Sequence, residues 1–260
     1  MVKYADQECT LLDRMGDDQT VANAARVSFG KRKECECYET DTVGGKDYNI
    51  AVVNKTDQRL INFLAREGHW TPFGHVSVQF HIKTPFFVAR QLGKHQVGLV
   101  WNEISRRYVD SEPEFYYPEW RLRAKNKKQG SLDETIEYGI TPFVQSCLVE
   151  YRQMLAKDIA PELARVVLPQ NTMTEFYWSG SLYAFARICS LRLPKDAQKE
   201  TREIAQMIDE QLGRLFPASW KALTKSVKEG IQKSEESINE RVVNEPRSDS
   251  RETTKRQRTS

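Results

Sequence analysis

The sequence predicts an α+β protein folded as a single domain, with a long helical C-terminal half. Three observations carry that expectation. From His75 to Lys83 the chain alternates strictly, setting Val76, Val78, Phe80 and Ile82 against Ser77, Gln79, His81 and Lys83, which is the period of a half-buried strand. From about Thr141 the chain reads as helix, and Ile204, Met207, Ile208, Gln211, Leu212 and Leu215 form a stripe at helical period that Pro217 ends. A length of 260 residues suffices for one good core plus elaborations.

In chain order, residues 1–30 form a short amphipathic start ending in AARVSFG. Residues 31–57 are charged and glycine-containing, and read as an insertion leaving the core. A helix is expected from about Asp57 to Glu67, with Leu60, Ile61, Phe63 and Leu64 forming its apolar face and Gly68 stopping it. After the strand, Thr84 is the expected N-cap and Pro85 the first residue of a helix reaching about His95. That helix sets Arg90 with Lys94, and Gln91 with His95, at the i, i+4 spacing of a shared face. Asn102 to Tyr108 are then expected in the following loop. Residues 119–140 read as a second insertion, with a basic loop over 119–134. The domain is expected to span 1–228, because 229–260 lose apolar periodicity and read as a charged, disordered tail.

Composition narrows the function. Hydrophobic content of 39%, mean hydropathy of −0.63 and apolar runs far shorter than a bilayer exclude a membrane-spanning chain. A net charge of +3 does not mark a dedicated nucleic-acid binder, so no stable nucleic-acid partner is expected. The first residues lack a signal peptide's apolar stretch, which predicts a cytoplasmic protein. Five cysteines make a disulfide framework an unsuitable reading there. Cys35 and Cys37 form a CxC without a second Cys/His pair, and the histidines lie at no ligand spacing, so no metal is expected.

The segment from Phe87 to Asp110 carries the chemistry. It crowds Arg90, Gln91, Lys94, His95, Gln96, Asn102, Glu103, Ser105, Arg106, Arg107 and Tyr108 into one stretch. Arginine forks, a hydroxyl and backbone amides suit a phosphate. Gln, Asn and Glu add the paired donor and acceptor edges that a nucleobase or a flavin ring requires. Two further patches accompany it. In GHWTPFGHVS (68–77), His69 and Trp70 stand in a turn where they can stack on a planar ligand, or simply pack. In PELARVVLPQN (161–171) and CSLRLPKDAQ (189–198), Arg165 and Arg192 sit amid apolar neighbours and need an anionic partner, internal or bound.

Taken together the patches resemble the flavin-dependent thymidylate synthases. The matching stretches are AARVSF (24–29), GHWTPFGHVSVQFHIKTPFFVARQ (68–91), the run from Lys94 to Tyr108, EFYYP (114–118), ARVVLPQN (164–171) and SLRLPKDAQ (190–198), all in family order. The resemblance implies the thymidylate-synthase-complementing fold, with a central, mostly antiparallel sheet flanked by helices. It implies methylation of dUMP to dTMP, with methylenetetrahydrofolate supplying the carbon, reduced FAD the hydride and NADPH refilling the flavin. It implies a homotetramer whose active sites draw on more than one subunit. On matching positions, Gln91, Glu103, Ser105, Arg106, Arg107, Arg165 and Arg192 are expected to hold dUMP. Ser28, His69, Thr71, Lys94, His95, Gln96, Asn102, Glu103 and Arg187 are expected on the FAD side. Arg192, Ser105 and His69 are expected closest to the chemistry.

The chain departs from the family pattern mainly on the flavin side. Arg-His-Arg is here Lys94-His95-Gln96, with one extra residue before Asn102-Glu103. Gly74 replaces a commonly acidic position, Asp196 a frequent histidine, and Ser181, Tyr183 and Arg187 the more usual Asn, Arg and Asn. The family pattern thus predicts a dUMP side well kept and a flavin gripped differently, with Arg187 or the basic 121–128 loop replacing lost charge. Pro-Cys-His, which marks the classical thymidylate synthases, surrounds none of the cysteines. Two alternatives stay open at this point: hydroxymethylation of dUMP or dCMP on the same scaffold, and a non-catalytic nucleotide- or RNA-binding protein.

Overall fold

The computed structural model describes residues 1–124, 130–225 and 229; the tail expected from 229 otherwise lies outside the described residues. Strand β1 (Glu8–Met15) turns at Gly16, whose φ of 81° lies in the left-handed region, into helix α1 (Asp18–Arg26). Asp17 caps α1 by accepting from the Thr20 amide while the Thr20 hydroxyl accepts from the Asp17 amide, a pairing worth about 1 kcal/mol. A 3-10 turn (Val27–Phe29) precedes a hairpin of β2 (Tyr38–Val43) and β3 (Lys46–Ala51). Next come α2 (Lys55–Arg66), the single turn α3 (Thr71–Gly74), β4 (Ser77–Pro85), α4 (Phe86–Leu92) and β5 (Leu99–Glu103). The second half holds β6 (Arg121–Arg123), β7 (Ser131–Thr135), α5 (Thr141–Ala156), α6 (Pro161–Ala164), a 3-10 turn (Arg165–Val167) and β8 (Met173–Ser181). Then follow α7 (Leu182–Arg192), α8 (Lys199–Leu215) and a last helix over 217–225.

Among the described residues the main sheet has four strands in the order β1-β4-β8-β5, every pair antiparallel. This is the expected helix-flanked antiparallel architecture. One face of β4 buries Val78, Phe80, Ile82 and Thr84. There Phe185 of α7 meets Phe80 and Trp178 edge-on, with centroids 5.2 and 5.4 Å apart. Each such buried ring contributes roughly 1.5–3 kcal/mol through apolar surface alone. The other face carries a polar cross-strand row, with Gln79 to Ser179 at 2.9 Å and His81 to Glu175 at 3.0 Å. A smaller cluster of Phe115, Val144 and Leu148 lies under α5.

Buried charges tie helices together. Asp57, fully buried, pairs with Arg26 and so joins α1 to α2. Asp18 accepts from the amides of Ala218 and Ser219 at 2.7 and 2.9 Å, where the last helix exposes unsatisfied donors. Burial nevertheless pushes the Asp18 carboxyl above its ordinary range.

Several local expectations shift. The helix predicted from Asp57 starts at Lys55, because Asn54 caps it by accepting from the Thr56 and Asp57 amides. β4 runs on through Thr84 and Pro85, so Pro85 rather than Thr84 occupies the N-cap of α4. The buried Thr84 hydroxyl donates instead to Gln7. Within 31–57 the chain forms the β2–β3 hairpin, turning at Gly44 and Gly45 (φ 61° and 79°), and buries Val43, Ile50 and Ala51. The basic stretch 119–134 is likewise a hairpin at its described ends, β6 pairing with β7. Arg121 there is spent on buried Glu200 at 2.5 Å rather than left free for a ligand. Lastly, the half read as helical contains β8, a central strand of the sheet.

Candidate active site

α4 begins where β4 ends, so its C-terminal turn opens beside edge strand β5. Between them lies a cleft of about 880 Å³. Lys94, His95 and Gln96 line one end, and Glu103, Ser105, Arg106 and Arg107 the other. Arg90 and Arg165 also face it. Phe86, Leu99, Trp101, Ile104 and Trp178 supply its apolar wall. Trp101 stacks on Phe176 with centroids 3.4 Å apart and meets Trp178 edge-on.

The end at 103–109 is a turn built around one serine. The amides of Tyr108 and Val109 donate to the Ser105 carbonyl at 3.0 and 3.1 Å. Ser105 Oγ accepts from Arg107 Nε at 3.1 Å and from the Arg107 amide at 3.3 Å, which leaves the hydroxyl hydrogen to donate elsewhere. Arg106 reaches the Ser111 carbonyl at 2.7 Å, and Arg107 lies over the Tyr108 ring at 4.9 Å. Two guanidiniums and a hydroxyl on one turn make a donor set of the kind that suits an anion. Glu103 Oε1 accepts from Thr174 at 2.6 Å, which fixes the one carboxylate at this end.

The other end follows α4. His95 Nε2 faces Arg192 Nε at 3.1 Å, bringing the end of α7 to the cleft. Burial, then Arg192 and Arg187, hold the His95 imidazolium pKa below its ordinary value. Gly98 (φ 76°) allows the turn toward β5, and its carbonyl accepts from the Ser181 amide at 3.3 Å. A Cβ on Gly180 would lie 2.5 Å from Leu99 Cδ2 and 2.6 Å from the Gly98 carbonyl, so glycine there admits the longer 97–99 segment.

Of the remaining candidates, Arg165 lines the cleft and the others lie elsewhere. Gln91 points at α8, bonding Gln198 and receiving the Thr201 hydroxyl at 2.9 Å. Asn102 is on β5 rather than in the loop, and is exposed. Arg165 is exposed, bonded to the Glu162 carbonyl at 3.2 Å, so it has no need of the buried anion expected from its apolar neighbours. Ser28, His69 and Thr71 sit on another exposed face, where α1 packs on α3. His69 stacks there on Phe63 at 5.9 Å, and Val27, Phe29 and Trp70 are exposed. Trp101 and Trp178 were not singled out from the sequence. The signal for Trp178 was the Thr-, Phe-, Tyr- and Trp-rich run from Met173 to Ser181, a strand composition inside a half read as helical.

The family profile described as "Thymidylate synthase complementing protein" matches residues 10–218. The chain belongs to this family. Among the flavin-dependent thymidylate synthases it resembles, that of Thermus thermophilus is 40% identical over 225 residues, 85% of this chain and 76% of that one. That of Treponema denticola is 34% identical over 88% of this chain and 83% of its own. Among solved structures, the UMP/dUMP methylase PolB from Streptomyces cacaoi, bound with 5-Br dUMP, superposes with a TM-score of 0.70 at 25% identity. That match covers 86% of this chain and 97% of PolB.

The residues present fit the flavin of the family. Lys94 and Arg90 offer cations to phosphates, and the Trp101 and Trp178 rings offer an apolar wall to a planar ring system. Trp178 Nε1 is buried without a hydrogen-bond partner among the described residues. Among those residues, no group of three or more His, Cys, Asp or Glu side chains gathers as a metal site would require. No described helix is long and apolar enough to cross a membrane.

Proposed function

We propose that the cleft binds dUMP and FAD together and methylates dUMP to dTMP, with methylenetetrahydrofolate as carbon donor and NADPH as reductant. The observation that carries this reading is the single cleft that gathers Lys94, His95, Glu103, Ser105, Arg106, Arg107 and Arg165 against an aromatic wall. The Ser105–Arg107 turn takes the 5′-phosphate: Arg107 and Arg106 neutralise it, the Ser105 hydroxyl donates to it, and Arg165 closes over it from the 3-10 turn. Ser105 binds and does not attack. Arg192 faces the pyrimidine carbonyls and stabilises the negative charge that develops there as C5 becomes nucleophilic. When bound, FAD supplies the hydride that completes the methyl group. Lys94 and Arg90 hold its phosphates, Gln96 offers hydrogen bonds without charge, and Arg187 adds charge from α7.

Ser28, His69 and Thr71 do not line this cleft. The proposal therefore places them in a second subunit's contribution, in a homotetramer whose paired faces cover Val27, Phe29 and Trp70, exposed by 71%, 77% and 55%. The enzyme is proposed to work in the cytoplasm, with residues 1–228 as its catalytic domain.

The test is turnover with labelled methylenetetrahydrofolate, FAD and NADPH, offering dUMP, UMP or dCMP and reading product mass. The expected product is labelled dTMP from dUMP. Labelled 5-methyl-UMP would extend the substrate to the ribonucleotide, as the name of PolB makes worth testing. A product heavier than dTMP by one oxygen would replace methylation with hydroxymethylation. Tight nucleotide binding without any turnover would leave a binding protein.

A further inference from the structure

At the Lys94–Gln96 end of the cleft one side-chain pair ties α7 to the segment after α4, Arg192 Nε with His95 Nε2 at 3.1 Å. An arginine Nε–H only donates, so Nε2 must present its lone pair. A neutral ring with that lone pair on Nε2 carries its proton on Nδ1. His95 is half-buried, and its amide is anchored to the Leu92 carbonyl at 2.9 Å, so the ring has a fixed origin. With Nε held, the Arg192 guanidinium is fixed in plane, and its two terminal NH₂ groups have no hydrogen bond to another side chain among the described residues.

We infer that His95 is the positioning residue for Arg192, acting as an obligate Nδ1–H tautomer that grips the guanidinium and lets it go when protonated. This rests on the reading of Arg192 as the residue that faces the pyrimidine. An imidazolium has no lone pair on Nε2 and would stand against a cation, so the contact inverts from attraction to repulsion. The charged groups that shift the ring are Arg192 and Arg187 from α7, while Lys94, next to it in the chain, and Arg90, near the end of α4, line the same cleft; no carboxylate is among those that shift it. The depressed pKa agrees in sign with the geometry. The ring stays an acceptor through the neutral range, and the grip is lost only as pH falls below the ordinary histidine range of about 6.5. His95 thereby gives the nucleotide site an acid limb that Arg192 alone, always charged, cannot provide.

The test is calorimetric titration of dUMP into the full-length protein between pH 8 and pH 5.5, for wild type, His95→Gln and His95→Ala. The nucleotide phosphate itself takes up a proton near pH 6, by analogy with other phosphate monoesters, so His95→Gln serves as the reference for that effect. A Gln side chain keeps an acceptor for Arg192 Nε at every pH. The expected result at pH 8 is affinity within about threefold of wild type for His95→Gln and about tenfold weaker for His95→Ala. Between pH 8 and 5.5 wild type should lose severalfold more than His95→Gln, short of the roughly tenfold that a histidine of ordinary pKa would give. Parallel pH profiles for wild type and His95→Gln would overturn the inference. Nitrogen NMR of ¹⁵N-histidine-labelled protein tests the pair without nucleotide. An unprotonated Nε2 at pH 7.5 that shifts in Arg192→Gln supports it, and an Nε2–H tautomer overturns it. Should dUMP bind no variant at any pH, the reading of the nucleotide site fails, and the NMR result alone decides the pair.

Discussion

At one end of the cleft, Ser105, Arg106 and Arg107 sit in a turn whose own amides close on the Ser105 carbonyl, with Arg107 propped on Ser105 Oγ and Tyr108. At the other, Lys94, His95 and Gln96 trail from the last turn of α4 into a glycine-bearing segment, and Lys94 and Gln96 are exposed. The first end presents a cation fork already oriented by its neighbours. The second presents a flexible ammonium, an uncharged amide and one imidazole that is committed to Arg192. Preorganised donors lose less freedom on binding, so the first end should hold its ligand by fixed geometry and the second by looser charge. This contrast runs parallel to the expectation from the family resemblance, a pattern kept at 103–107 and departed from at 94–96.

Four substitutions break or sharpen the contrast, in descending order of effect. Arg107→Ala removes the oriented fork and should weaken dUMP binding about 100-fold while FAD affinity stays within about threefold; calorimetry of each ligand separates the two. Equal losses for both would mean that the ends are not distinct. Gly180→Val places a side chain where Leu99 and the Gly98 carbonyl already lie. It should cost about 1–3 kcal/mol of stability, a few degrees of Tm by calorimetry, and should weaken FAD more than dUMP. Arg165→Ala removes an exposed, screened cation and should weaken dUMP about five- to tenfold, with the loss shrinking as salt is raised. Gln96→Arg restores a charge at the loose end and should tighten FAD about threefold, read from fluorescence quenching of the flavin, with little change in dUMP.

Much of this site was legible in the residues because it is local in sequence. The run from Arg90 to Arg107 supplies most of the polar lining, and its density alone pointed to a nucleotide. β4 was legible because one buried face imposes strict alternation. What was hidden depends on contacts far apart in the chain. β8 is packed on both neighbours and carries aromatic residues on either face, so Met173–Ser181 lacks clean alternation and was absorbed into a helical half. Trp178, on that strand, forms the cleft wall from about 80 residues beyond Trp101, a separation that no local pattern encodes. Arg165 and Arg192 looked alike in sequence, each a cation among apolar neighbours. The fold exposes the first on a 3-10 turn and hands the second to His95. The helix expected to reach about His95 ends at Leu92, so Gln91 and His95 share no helical face, and the Gln91 amide is spent on Gln198 and Thr201.

The central claim is that one cleft holds the nucleotide against the flavin, and a spectral titration tests it most directly. Protein reconstituted with FAD should show a saturable change in the flavin visible spectrum on adding dUMP, because the bound pyrimidine alters the environment of the ring. The same titration of Arg107→Ala should begin from the same flavin spectrum and show no change at concentrations that saturate wild type. A flavin spectrum indifferent to dUMP, or a response that Arg107→Ala leaves intact, would contradict the account.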